Sequence, residues 1–183
     1  MDGIHPAPMN LLQEKRSVTY AIVFGIWAQV FIYCVLHDQY LIRISPEHFT
    51  VYHPPLWDIT NLTLLAIAWA FRASIGPGLG LGLAALFLGR AGRWPKVAPG
   101  RMLKIVPWLL LATEAAGLAA GAWAWQTKRP LFPEIVYPDL TEPMLISQSI
   151  QLTCYGVGLL VALGFLVWIG KQRRKPEETS RSS

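Results

Sequence analysis

The sequence predicts an all-α integral membrane protein, a bundle of four transmembrane helices. Three observations lead there. Apolar residues make up 53% of the 183-residue chain and charged residues only 15%, with mean hydropathy +0.37, where a soluble domain carries about 25% charged residues. The apolar residues gather into runs of the length a bilayer requires. The cations sit between and after those runs, and many of the eight Trp and six Tyr flank them, as interface anchors do. Residues 1–170 read as one four-helix domain, with no length left for a second.

Helix one is expected over 17–36. Tyr20, Trp27, Gln29 and Tyr33 lie inside this run and no small-x-small site follows it, so it reads as a retained span and not as a cleaved signal. His37-Asp38-Gln39-Tyr40 then reads as the polar stop, opening a loop over 37–55 punctuated by Pro46, Pro54 and Pro55. Three of the four histidines, His37, His48 and His53, fall in this loop, whose amphipathic pattern places it against headgroups.

Helix two is expected over 56–75. Asp58, Asn61 and Arg72 share one face, since fourteen residues at 100° each leave Arg72 about 40° from Asp58. Such a face belongs in the bundle interior or a wet cavity. Gly76-Pro77-Gly78 follows and should bend or break the helix. The apolar extension 79–89 is too short to cross alone. It reads either as the continuation of a bent helix or as a separate interfacial or re-entrant segment. Gly76–Gly82 is no phosphate loop, because it follows no strand and lacks the Lys-Ser/Thr ending.

A basic loop comes next, with Arg90, Arg93, Lys96, Arg101 and Lys104. Helix three is expected over 105–126, with Pro107 in its first turn, Glu114 at mid-span, and Gly117 and Gly121 spaced for close helix approach. A proline-rich loop over 127–145 leads to helix four, 146–170, whose first half is polar. Ser147, Gln151 and Tyr155 line one of its faces. Residues 171–183 read as a basic, disordered cytoplasmic tail.

The charge distribution sets the expected topology. Of 16 Lys and Arg, two precede helix one, five occupy the middle loop and five follow helix four. Arg43, Lys128 and Arg129 lie in the other two loops, and Arg72 lies within a span. The positive-inside rule then places both termini and the middle loop in the cytoplasm. A bacterial inner membrane is the expected host. The net charge of +5 serves this orientation. Nucleic-acid binding is excluded, because no soluble domain interleaves basic and aromatic residues.

No motif names a reaction, and no cofactor is assigned. Cys34 and Cys154 have no CxxC partner and no zinc or haem-attachment spacing, so both read as small buried hydrophobes. Two constellations stand out. Arg72 and Glu114 are expected to form a buried ion pair, because by helical rise their levels differ by roughly 7 Å, within reach of an extended arginine, and an isolated charge at that depth is costly. The other is a polar mouth on the outer face, gathered from His37, His48, His53, Asp58 and Asn61 of the first loop and helix two with Gln148, Gln151 and Tyr155 of helix four. The expected function is binding of a small ligand or lipid at this mouth, or service as an accessory subunit to a membrane-protein partner. The alternatives are a small membrane enzyme acting on a lipid or quinone through His48, His53 and Asp58, and a transporter or channel protomer with a polar track through the spans.

Overall fold

The computed structural model describes residues 14–54 and 56–174, and it is all-helical over that range. Four helices are long and apolar enough to cross a membrane: α1 (Arg16–Ile44), α3 (Leu62–Arg90), α4 (Pro99–Thr127) and α5 (Glu142–Arg174). A short helix, α2 (Pro46–Thr50), follows α1. Each long helix departs from its sequence-based bounds, and the physical reasons differ.

Helix α1 does not stop at Leu36. It runs two turns further because His37 and Asp38 are buried against neighbouring helices, each 7% exposed, so the polar cluster packs inward instead of ending the span. It ends at Ser45, whose ψ of 87° lies outside the helical region, a region that the following Pro46 disfavours. Pro46 then opens α2, which drives Phe49 into the core.

Helix α3 starts six residues later than the sequence suggests. Asn61 caps it, its side-chain oxygen accepting the Leu64 N–H at 3.1 Å. Trp57 and Asp58, both at φ near +52°, form a left-handed turn before the cap. The Gly76-Pro77-Gly78 step neither breaks the helix nor starts a re-entrant segment. The chain passes it in a single π-helical stretch, Ile75–Leu79, whose wider turn accommodates the proline ring and its missing N–H. The helix then continues to Arg90. Glycine has a steric role here. A Cβ at Gly78 would sit 2.8 Å from Trp27 Cδ1, and one at Gly82 would sit 2.8 Å from the Val23 carbonyl oxygen and 2.9 Å from Val23 Cα. Backbone meets backbone where α3 crosses α1.

Helix α4 begins at Pro99, at the position where a missing N–H costs nothing, and ends at Lys128 in the left-handed conformation, φ 55°. Gly117 and Gly121 press against Cys154 and Ile150 of α5, so the expected small-residue packing joins α4 to α5. Helix α5 continues to Arg174, beyond the expected end at 170, because Arg173 is buried. Residues 175–183, most of the expected tail, lie outside the described residues.

Two apolar cores share α1. Ile22, Val23, Ile26, Met102, Val106, Phe165 and Ile169 fill one end, and Leu41, Ile42, Phe49, Leu56, Leu65 and Ile150 fill the other. The first end also holds the 91–98 connector. There Glu14 bonds Arg90 at 2.9 Å and Lys96 at 2.8 Å. The Arg173 guanidinium donates to four backbone carbonyls, those of Leu88, Ala91, Trp94 and Pro95, at 2.6 to 3.0 Å. This is the basic end. The opposite end carries His37, His48 and His53.

Candidate functional site

On α1, Tyr33, His37 and Tyr40 recur at i, i+4 and i+7, so they occupy one helix face. That face meets Glu114 of α4. His37 Nδ1 lies 2.9 Å from Glu114 Oε2, and the Tyr40 hydroxyl donates to Glu114 Oε1 at 2.5 Å. Tyr40 Oη is also 3.1 Å from His37 Nδ1. These contacts fit a tautomer in which Nδ1–H donates to the carboxylate with the phenol oxygen alongside, which leaves Nε2 as an acceptor. Glu114 thus has a partner on each oxygen.

Cys154 of α5 completes the cluster from a third helix. Cys154 is 6% exposed, and its thiol donates to the Thr113 carbonyl at 3.6 Å. The ligating atoms of His37, Glu114 and Cys154 all lie within 4.8 Å of one another. The Tyr33 hydroxyl is buried close to Glu114 and Cys154 and makes no hydrogen bond of normal geometry among the described residues.

A groove of about 400 Å³ opens beside the cluster, between α1 and α4. Ile32, Leu36, Pro107, Leu110 and Leu111 form its walls, and Gln29, Tyr33, His37, Tyr40 and Glu114 supply the polar groups. Its mouth lies on the lateral face of the bundle, where Leu36 is 67% exposed and Leu111 59%. The arrangement can hold an elongated apolar body while presenting a carboxylate and an imidazole to one end of it.

A second histidine cluster lies under α2. His48 is 3% exposed. Its ring meets that of His53 at 4.7 Å, and His53 meets Trp69 at 4.8 Å, both edge to face. His53 Nδ1 donates to the His48 carbonyl. Neither His48 ring nitrogen, nor Trp69 Nε1, has a partner among the described residues. Burial pulls the His48 pKa down to about 4, helped by the nearby His53, so the ring is neutral at pH 7.

The residues expected at one mouth therefore separate. His37 joins Glu114, while His48 and His53 pair under α2. Asp58 is exposed at the left-handed turn and bonds neither histidine. Asn61 is a helix cap. Gln148 donates to the Val136 carbonyl at 2.7 Å and Gln151 to the Tyr155 hydroxyl at 2.7 Å, and Tyr155 itself is 60% exposed.

The expected Arg72–Glu114 pair is corrected. Among the described residues no ion pair joins them. Glu114 is taken by α1, and the exposed Arg72 guanidinium lies over the Trp69 ring at 5.2 Å. Tyr33, Tyr40 and Cys154 belong to the site although sequence reasoning passed them over. The i, i+4, i+7 spacing of Tyr33, His37 and Tyr40 was the available signal, hidden by ending α1 at Leu36.

Comparison with protein-family models, with curated proteins and with solved structures finds no match for this chain.

Proposed function

We propose that this is an integral membrane protein that binds a lipophilic molecule laterally, with its apolar body in the α1–α4 groove and a hydrogen-bond-donating head at Glu114 and His37. The observation behind this reading is the doubly anchored Glu114 carboxylate at the end of a groove whose walls are otherwise apolar and open sideways. A ligand arriving from the bilayer gains little from burying its tail, since lipid is as apolar as the groove. Selectivity then falls to the head, where a hydrogen bond to a charged group contributes about 1.5–3 kcal/mol. A long-chain alcohol or a quinol has the required chemistry.

The test is photocrosslinking in membranes with a diazirine-bearing long-chain quinol. Glu114→Gln should lower capture about tenfold or more, and Leu111→Trp should block the groove. Capture unchanged in both variants sinks the proposal.

The bacterial inner membrane with the basic end in the cytoplasm is the topology this reading adopts, supported by the cation distribution. Cysteine placed at the exposed positions Arg93 and Arg129 checks it with an impermeant maleimide on whole cells. Labelling is expected at Arg129→Cys only, and labelling at Arg93→Cys reverses the orientation.

A second reading, an enzyme acting on a bound lipid or quinone, is favoured by one feature. The His37 imidazole is oriented by a carboxylate and flanked by a phenol, as a general base would be.

A further inference from the structure

We propose that His37, Glu114 and Cys154 form a site for a divalent transition-metal ion, zinc by the chemistry of the donors. The three side chains come from three different helices, α1, α4 and α5, and offer one imidazole nitrogen, one carboxylate oxygen and one sulfur. Among the described residues no other three such side chains converge so closely. Nitrogen, oxygen and sulfur together suit zinc, which takes three protein ligands and leaves a fourth position open in its catalytic sites.

The dimensions agree. Around a tetrahedral zinc, bond lengths of about 2.0–2.3 Å put neighbouring donors roughly 3.3–3.7 Å apart. The His37–Glu114 separation is 2.9 Å and all three donors lie within 4.8 Å. Parting the first pair slightly and drawing the thiol in by about 1 Å completes the geometry, and rotation about the Cys154 side-chain torsion supplies that movement.

An independent observation points to the same place. The buried Tyr33 hydroxyl, close to Glu114 and Cys154, makes no hydrogen bond of normal geometry among the described residues, and a metal-bound water would provide one. Access exists as well, because His37 and Glu114 both line the groove. Binding converts the thiol to a thiolate, whose proton goes to solvent, and moves the His37 ring proton from Nδ1 to Nε2, so that a neutral imidazole presents Nδ1 to the metal. No oxidation or reduction is involved. The site does not require the groove to hold a lipophile.

The full chain, purified in detergent and stripped with a chelator, should bind one equivalent of Co²⁺ with a thiolate-to-cobalt absorption band, and Zn²⁺ should displace it. Cys154→Ser should abolish the band and weaken Zn²⁺ binding about tenfold or more. Absence of stoichiometric metal, or an unchanged spectrum in Cys154→Ser, overturns the site. In the unsubstituted chain, Zn²⁺ should slow maleimide alkylation of Cys154 at least tenfold while leaving Cys34 unaffected, and equal rates at Cys154 also overturn it. Cys154 does not line the groove. Lost metal binding with retained quinol capture in Cys154→Ser therefore supports both proposals, whereas quinol capture without any metal binding rejects this one alone.

Discussion

The two ends of the bundle treat buried polar groups in opposite ways. At the basic end the buried Arg173 and the largely shielded Glu14 are met by complementary atoms. Arg173 satisfies four carbonyls that the end of α3 and its connector leave unpaired, and Glu14 is clasped between two cations. At the histidine end, both His48 nitrogens, Trp69 Nε1 and the Tyr33 hydroxyl are buried without partners among the described residues. An unpaired buried polar group costs about 1–3 kcal/mol. The contrast separates a clamp that holds the fold from a region whose polar atoms are held for something else.

The strongest way to break this comparison is to remove the clamp. Arg173→Ala should lower stability by about 3 kcal/mol, because the carbonyls lose a planar five-donor partner. Arg173→Lys should restore little of it. Both are read from thermal unfolding in detergent, and an unchanged midpoint for Arg173→Ala would remove the structural role assigned to that end.

Next in size is the α1–α3 crossing between the two ends. Gly82→Ala gains helix propensity, about 1 kcal/mol, but its methyl group lands on the Val23 backbone. The net expectation is a loss of about 1–2 kcal/mol, again visible in the unfolding midpoint. A stabilised variant would mean that the helices part easily.

The two ends should also differ in acid response. Hydrogen bonding to Arg90, reinforced by Lys96, holds the Glu14 carboxyl down at about 2, against an ordinary 4.5. Its contribution is complete above pH 4.5 and is lost as pH falls toward 2, and Glu14→Gln should erase that dependence. His48 is depressed from 6.5 to about 4. The unfolded chain takes up this proton first, so stability should begin to fall below pH 6.5 and go on falling to about pH 4. Unfolding midpoints measured between pH 7 and pH 2 separate the two windows.

The smallest effect sharpens the comparison most. His48→Phe removes two unpartnered nitrogens while keeping a ring against Phe49 and His53. With only packing at stake, the protein should change by less than about 1 kcal/mol, in the stabilising direction. A clear loss of stability instead would show that those nitrogens are satisfied by a bound species.

The four spans, their order and the middle basic connector were legible in the sequence because hydropathy acts over twenty residues at a time. The site was less legible. Ending α1 at Leu36 followed from reading His37-Asp38-Gln39 as solvent-facing, whereas a partner helix makes the same residues interior. Placing the start of the second span at Leu56 instead of Leu62 shifted the inferred depth of Arg72 and produced the wrong partner for Glu114. Arg173 looked like one more cytoplasmic cation, since nothing local reveals that four carbonyls from the end of α3 and its connector converge on it. In each case the deciding information was a contact between residues far apart in the chain.

The wide turn at Ile75–Leu79 has a consequence for how this chain tolerates change in length. A π-helical turn holds one residue more than an α-turn, so it sets the rotational phase between the two halves of α3. Deleting a single residue there would let an ordinary helix form with everything beyond it in nearly the same phase, whereas a deletion in the α-helical stretch before it would swing the remainder by about 100°. Gly82 would leave Val23, Leu86 would leave the core, and the carbonyls that Arg173 gathers would face elsewhere. The wide turn therefore acts as a register buffer, and a one-residue deletion between residues 75 and 79 should be better tolerated than one in the α-helical stretch from Leu62 to Ser74.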